Sequence, residues 1–384
     1  MQLTLENPAQ QQHVLTYTNL GTLCDQMPNS TFRSIAEKVL TGQRIDGKDA
    51  LSLYEYADEE PLRLLADARR QLLAGEIVYY ASTVYIHPTN LCELSCPMCS
   101  YYAKPGWSSA WFQTPQQAFD KILPYIQEGA EEIHVVGGLW KETDLPYYKE
   151  LFSLIKKENP QLHIKALTPV EYDFLARLHG ISVTEVLQKM IGYGLGSLPG
   201  GGAEILNEEV RRAIAPQKID SNQFLEVHAI AHSLKIPTNI TMLYGHVEEP
   251  HHIVEHLEKV RIQQDQTGGF HTFIPLKYHT ENNALGKRTK RLKPKNAFRI
   301  YALCRLMLDN IPNIKVLWNY IGPEAAQQSL YWGVNDLGST AFEEKIIKMA
   351  GGTEITMQAK ELQDIATAAG RPYQQIHSGI NTKA

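Results

Sequence analysis

The chain has 384 residues, enough for one large α/β domain with additions or for two ordinary domains. Hydrophobic residues make up 43% and charged residues 21%, a globular composition, and the formal net charge of −5 argues against a general nucleic-acid or membrane-surface role. No run reaches the ~18–20 apolar residues of a membrane span, and the polar start, Met1 to about Gln26, has no signal-peptide core.

Residues 1–30 are polar and amide-rich and read as a loosely attached extension. Residues 31–80 read as N-terminal helices. After a turn at Asp46-Gly47, Leu51, Leu53, Tyr54 and Tyr56, then Leu62, Leu64, Leu65 and Leu72, supply their apolar faces. Over 81–340 short strand-like runs alternate with helical segments. Predicted strands are Thr83–His87, Glu132–Val136, His163–Leu167, Leu195–Leu198, Thr238–Leu243, Thr272–Leu276, Lys315–Trp318 and Tyr331–Val334. Predicted helices are Pro115–Glu128, Leu145–Glu158, Val183–Tyr193, Ser221–Leu234, His252–Gln264 and Pro294–Asn310. Eight βα repeats of roughly 30 residues favour a (β/α)8 TIM-type barrel over a doubly wound open sheet. Residues 341–384 read as a C-terminal helix and tail.

Three of the five cysteines, Cys92, Cys96 and Cys99, form a C-x3-C-x2-C run after the first barrel strand. An odd number at so tight a spacing does not pair off as disulfides. Thiolate sulfur is the usual ligand of iron–sulfur clusters, so the run predicts three corners of a [4Fe–4S] cluster. The fourth iron is then open to a substrate, which points to catalysis rather than electron storage. Structural zinc is the rival, but it wants four ligands, usually in two separated pairs. Cys24 and Cys304 make no such pair. Inert buried thiols are the remaining alternative. Free cysteines also suit a reducing cytoplasm.

Catalytic groups of such barrels sit on the loops after the strands. Gly137-Gly138 follows the second predicted strand, Glu171 the third and Pro199-Gly200-Gly201-Gly202-Ala203-Glu204 the fourth. Tyr244-Gly245-His246-Val247-Glu248 follows the fifth and Lys277-Tyr278-His279 the sixth.

With these motifs the chain resembles the radical S-adenosylmethionine (SAM) superfamily, whose cluster motif is C-x3-C-x2-C after the first barrel strand. Met98 stands where an aromatic residue is usual. The blocks around Gly137-Gly138, Ser197–Glu204, Thr241–Glu248, Gln264–Phe270 and Gly333–Gly338 look like the futalosine-pathway enzymes of menaquinone biosynthesis. The likeness runs from about residue 40 to about 375. Phe273-Ile274-Pro275-Leu276-Lys277-Tyr278-His279 is most similar to the aminodeoxyfutalosine synthase family. The cyclase relatives usually have Trp after that proline, and the deazaflavin-forming relatives lack the triple glycine. The basic loop Lys287-Arg288-Thr289-Lys290-Arg291 departs from the pattern and reads as a solvated loop.

The resemblance implies roles for residues. Cys92, Cys96 and Cys99 would ligate the cluster, and SAM would be the co-substrate. Gly137 and Gly138 would hold the methionine ammonium on backbone, although two glycines also make an ordinary turn. Glu171 would bind ribose hydroxyls or the amine, or else cap a helix. Ser197, which flanks the glycine-rich loop, would be a further cofactor-binding residue. Gly245 and Glu248, with Thr241 and Leu243, match an adenine-supporting G-x-I-x-G-x-x-E pattern, with Thr for the first Gly. Met98 and Tyr101 would lie beside the adenine. Gly201, Glu204 and Asn335 are candidates for the substrate. His279, His246 and His271 are candidates for acid–base work or for a substrate carboxylate. Lys165, Arg177 and Lys277 are candidate carboxylate partners.

The implied reaction adds the adenosyl radical to the enolpyruvyl double bond of 3-[(1-carboxyvinyl)oxy]benzoate. Rearrangement and loss of the carboxylate give 6-amino-6-deoxyfutalosine. A flavodoxin or ferredoxin would supply the electron. The rivals are cyclisation of dehypoxanthine futalosine, tyrosine-dependent deazaflavin assembly, and a non-enzymatic metal-binding module.

Overall fold

The computed structural model describes residues 30–289, 294–353 and 356–378. The predicted polar extension, the rest of the basic loop and the last six residues lie outside them. Among the described residues no helix is long and apolar enough to cross a membrane.

Three helices open the described residues: α1 (Ser30–Leu40), α2 (Gly47–Tyr56) and α3 (Glu59–Ala74). Asp46 and Asp49 close a capping box at the start of α2. Its last carbonyls are collected by Arg299, which donates to Leu53, Tyr54 and Ala57. Arg299 belongs to the later helix Pro294–Met307, so the N-terminal helices are pinned to the main domain.

That domain is a closed (β/α)8 barrel. Strands β1 (Val78–Ala81), β2 (Thr83–Ile86), β3 (Glu132–Val135) and β4 (His163–Ala166) come first. β5 (Thr238–Tyr244), β6 (Phe270–Lys277), β7 (Asn313–Ile314), β8 (Asp336–Ser339) and β9 (Tyr373–Gln375) follow. β2, β3 and β4 pair in parallel, as do β5, β6 and β7. Single parallel bridges complete the ring. Lys165 meets Ser197, Leu198 meets Thr238, Lys315 meets Asp336, and Phe342 returns to Val84. The predicted strand at Leu195–Leu198 is thus present only as two bridges.

β1 lies outside the ring, between β8 and β9. It straddles the predicted boundary at residue 80. The run Ile77–Ile86 is apolar almost throughout, and its division at Ser82 left no sequence mark. The tail is also more than a tail. β9 lies beside β1, and Ser378 N–H donates to Glu132 at 2.8 Å, which closes the barrel floor.

Two strand predictions fail. Tyr331–Val334 is a turn after the helix Pro323–Ser329, and the strand follows at Asp336. Gly333 takes a positive φ of 96° there, with a Cβ position only 2.6 Å from Arg305. Lys315–Trp318 pairs only at its start, and Trp318 begins a short helix. Four helices of the described barrel residues were missed, Pro169–His179, Glu208–Ile214, Trp318–Ile321 and Pro323–Ser329. The first carried a legible signal, since Thr168-Pro169-Val170-Glu171 is a capping box with proline at the first helical position.

Candidate active site

The loop after β2 carries the cysteines, and buried polar groups shape it. Asn90 Nδ2 donates to Ser109 O at 2.9 Å, and its Oδ1 accepts from Trp111 N–H at 2.8 Å. Lys104 Nζ donates to the carbonyls of Cys92, Glu93 and Leu94 at 2.9, 2.9 and 3.0 Å. Three carbonyls gathered on one ammonium hold a tight bend. Gly138, just past β3, lets the bend seat against the barrel. A Cβ there would lie 2.1 Å from Leu91 O, so no side chain fits.

Cys92, Cys96 and Cys99 are free thiols and line one cavity. Burial pushes the Cys96 thiol up to about 11, opposed by the Lys218 ammonium. Burial raises Cys99 too, opposed by the Tyr101 N–H that reaches its Sγ at 3.4 Å. Bound iron reverses this balance, because a coordinating thiol is deprotonated. Among the described residues no three His, Cys, Asp or Glu side chains converge on one point, as a single zinc ion needs. Ligands of a cluster bind different irons and do not have to converge. Three cysteines on a cavity wall therefore fit a [4Fe–4S] cluster better than a zinc site.

The cavity has a volume of about 330 Å³ and runs from the cysteines toward the barrel floor. Of the predicted cofactor residues, Met98, Tyr101, Gly137, Gly138 and Glu171 line it. So do the predicted substrate residues Gly201 and Glu204, and His279. Glu171 fills one of its expected roles, the helix cap, and also ties down the glycine pair. Its Oε2 accepts from Thr168 N–H and Oγ1 at 2.7 and 2.8 Å, which caps the helix, while Oε1 accepts from Gly137 N–H at 3.0 Å. Burial pushes its carboxyl up to about 7 against these bonds. His279 Nε2 lies 3.1 Å from Tyr320 O. A carbonyl only accepts, so Nε2 carries the proton and Nδ1 of the neutral ring is an acceptor.

Four lysines line the cavity. Lys165 pairs with Glu132 at 2.5 Å, Lys218 with Glu204 at 2.5 Å and Lys315 with Asp336 at 3.2 Å. Lys277 has no carboxylate partner among the described residues. Lys218 was missed. It lies between two helices, and nothing in Pro216-Gln217-Lys218 marks it. Gln217 Oε1 accepts from Ser95 N–H at 2.6 Å, which brings that loop to the cysteines. Glu344 was also missed. It is buried on the cavity wall, accepts from the N–H groups of Ile346 and Ile347, and is pushed up to about 7 by burial.

Several expected residues lie elsewhere. His271, at the N-terminal end of β6, faces a small void at the barrel floor with His377 and Asn313. Asn335 precedes β8, is fully buried, and bonds Arg305, Asn313 and Ile314 N–H. Ser197 is buried against His163 Nε2 at 2.7 Å. None of the three lines the main cavity. Gly245, His246 and Glu248 form a loop folded on itself: Glu248 accepts from Gly245 N–H and, at 2.8 Å, from His246 N–H. His246 Nε2 is taken by Leu243 O at 3.0 Å, and its ring packs edge-on against Tyr278, one layer behind the cavity wall. Thr241 and Leu243 of the same motif do line the cavity. Arg177 is largely exposed and paired with Glu93 and Asp173.

Comparison with known proteins agrees with this geometry. Residues 86–260 match the radical SAM superfamily, and residues 267–378 match the CofH/MqnC C-terminal region. The aminodeoxyfutalosine synthase of Thermus thermophilus is 37% identical over 341 residues, covering 88% of this chain and 92% of the relative. The cyclic dehypoxanthine futalosine synthase of Streptomyces coelicolor is 37% identical over 341 residues, covering 88% and 85%. The 5-amino-6-(D-ribitylamino)uracil--L-tyrosine 4-hydroxyphenyl transferase of Methanococcus maripaludis is 36% identical over 339 residues, covering 86% and 94%. The FeFe-hydrogenase maturase HydG from Carboxydothermus hydrogenoformans shares the fold, with a TM-score of 0.69 at 17% identity over 93% of this chain and 82% of that one. The chain belongs to the radical SAM superfamily, with the C-terminal region of its CofH/MqnC group.

Proposed function

We propose that the chain is an aminodeoxyfutalosine synthase, which joins the adenosyl group of SAM to 3-[(1-carboxyvinyl)oxy]benzoate and releases the enolpyruvyl carboxylate as carbon dioxide or bicarbonate. Overall identity does not separate three reactions whose enzymes are 36–37% identical to this chain. The observation that carries the choice is local. The two segments that resemble the synthase rather than its relatives, Gly200-Gly201-Gly202 and Leu276-Lys277-Tyr278-His279, both line the cavity beside the cysteines. Small residues at one wall and Leu276 at another leave room that a Trp in place of Leu276 would fill.

Cys92, Cys96 and Cys99 hold the cluster, which supplies the electron that cleaves SAM to an adenosyl radical. The protein's own work is placement. Gly137, Glu171, Thr241 and Leu243 form the wall along which SAM lies. Lys277, the cavity lysine without a carboxylate partner among the described residues, receives one carboxylate of the substrate. The Nδ1 lone pair of His279, two residues on, accepts a substrate hydrogen bond or proton. Tyr278, Tyr320 and Leu276 give the aromatic ring an apolar bed and keep water from the radical. Thiols available to ligate iron suit a reducing compartment such as the cytoplasm, where the reaction is proposed to run.

Cyclisation of dehypoxanthine futalosine is the second reading, carried by the 37% identity to that enzyme. The test supplies anaerobic, reconstituted protein with SAM and reductant, and offers each candidate substrate in turn. Mass spectrometry showing 6-amino-6-deoxyfutalosine from the enolpyruvyl benzoate supports the synthase. Turnover of dehypoxanthine futalosine instead assigns the cyclase.

A further inference from the structure

A dicarboxylate substrate needs two anchors, and Lys277 supplies one. The inner wall of the barrel offers another. Tyr85, His134 and Lys165 are register partners on β2, β3 and β4, and all three line the cavity. The lumen of such a barrel is ordinarily filled by bulky branched side chains. Here the row is polar, and the cavity reaches it. Lys165 is buried, and the C-terminal tail backs its ion pair with Glu132. Ser378 N–H donates to Glu132 Oε2 at 2.8 Å, and Lys165 Nζ donates to Ser378 Oγ at 3.1 Å. Lys315, just past β7, lines the same cavity and pairs with the buried Asp336 at 3.2 Å. Buried ion pairs add little stability over well-packed apolar residues, so stability alone does not account for two of them here.

Hydrogen-bond donors are in surplus on this wall. An ammonium has three N–H groups. Lys165 gives two of them to Glu132 and Ser378, and Lys315 has one carboxylate, Asp336, among the described residues. Glu132 is already well supplied. Its Oε1 accepts from Lys165 and, at 3.1 Å, from Thr83 Oγ1, and its Oε2 accepts from Ser378 N–H. His134 Nδ1 is buried and has no hydrogen-bond partner. Burial first, then the nearby ammoniums of Lys165 and Lys315, hold this imidazole well below its usual range, so the ring is neutral and carries one N–H. The missing partner is an acceptor, and a carboxylate offers about four lone-pair sites. Resting on the proposed synthase reaction, we infer that Lys165, Lys315 and His134 form a carboxylate subsite at the inner end of the cavity, which holds the carboxylate on the aromatic ring of the substrate. That group survives into the product and needs an anchor away from the chemistry. Lys277 closes β6 at its C-terminal end, where the chemistry of such barrels takes place, and receives the enolpyruvyl carboxylate that is lost.

The test offers reconstituted protein two substrates, 3-[(1-carboxyvinyl)oxy]benzoate and 2-phenoxyprop-2-enoate, which lacks only the ring carboxylate. For wild type, KM is expected to be about 10- to 100-fold higher with the second, the worth of a charge-assisted hydrogen bond. Two variants locate the loss. His134→Phe keeps a ring beside Tyr85, whose centroid lies 4.5 Å away, and breaks no bond of Nδ1. E132Q/K165M removes both members of the ion pair, so no buried charge is left alone. Each is expected to raise KM for the benzoate about tenfold or more, to leave KM for the phenoxy compound unchanged, and to bind SAM by calorimetry as wild type does. A wild type with equal KM for the two substrates would overturn the inference, whether or not either variant folds. Variants that weaken both substrates by the same factor would overturn it too, because the ring carboxylate would then lie elsewhere. Either result leaves the proposed function standing as long as the benzoate is turned over. A wild type that binds SAM and turns over neither substrate fails the proposed function itself, and this inference falls with it.

Discussion

Gly138→Ala strikes the contact on which the cluster loop rests. The added Cβ would lie 2.1 Å from Leu91 O and 2.7 Å from Leu91 C, whereas ordinary contact begins at 3.4 Å. The Leu91 backbone would have to retreat by about 1.3 Å, the shortfall between those distances. Its neighbours resist. Asn90 is held by Ser109 and Trp111, Cys92 N–H donates to Ala103 O at 3.1 Å, and Lys104 gathers the next three carbonyls. Overpacking of this kind costs about 1–3 kcal/mol, a melting-point loss of about 1–4 °C for a chain this long. The larger effect falls on loading, because Cys92 moves with Leu91. Iron and sulfide are counted after anaerobic reconstitution, and melting is followed on the cluster-free protein. Gly137→Ala is the milder comparison, with its nearest atom at 3.1 Å. Gly192→Ala meets nothing within 4 Å inside the helix Val183–Tyr193 and is expected to stabilise by up to about 1 kcal/mol. A Gly138→Ala protein that melts and loads iron like wild type would refute the reasoning.

Three further outcomes are expected. Glu171 has a folded pKa near 7, raised by burial from 4.5, so its contribution to stability is fully present below pH 4.5 and is lost as pH rises through 7. Denaturant unfolding of cluster-free protein between pH 4.5 and 8 should therefore show wild type losing about 3 kcal/mol relative to Glu171→Gln; parallel pH curves would contradict this. Lys277→Met should raise KM for the dicarboxylate substrate about 10- to 100-fold, the worth of one charge-assisted hydrogen bond, with SAM binding by calorimetry unchanged; an unchanged KM would remove Lys277 from the site. Asn335→Leu leaves the buried Arg305 short of an acceptor, so it should cost about 3 kcal/mol of stability without changing KM in whatever active protein remains. A KM effect there would restore Asn335 to the substrate site.

What was legible in the sequence followed one rule of barrels. Residues read at the C-terminal ends of strands, such as Gly137, Glu171, Gly201, Glu204 and His279, line the cavity. His271 and Asn335 stand at the opposite ends of β6 and β8, and both drop to the floor or its packing. Ser197 shows a different limit. Its segment makes only single bridges, so alternation could not say which way the hydroxyl faces. Glu248 shows a third, for a carboxylate two or three residues past a turn is as ready to cap its own backbone as to meet a ligand. The loop after β6 shows its charge in the sequence, but not the bonds of Leu285 N–H to Pro97 O, Ser100 Oγ to Glu281 O and Asn283 Nδ2 to Ser100 Oγ, which join residues more than 180 positions apart.

The central claim is that the adenosyl group is added to the substrate rather than used to abstract hydrogen. SAM deuterated at the 5′ carbon tests it most directly, with reconstituted protein, reductant and the enolpyruvyl benzoate. The account predicts both deuterons in the 6-amino-6-deoxyfutalosine product and no labelled 5′-deoxyadenosine formed in step with turnover. Label recovered in 5′-deoxyadenosine, matched to product that lacks the adenosyl group, would contradict it.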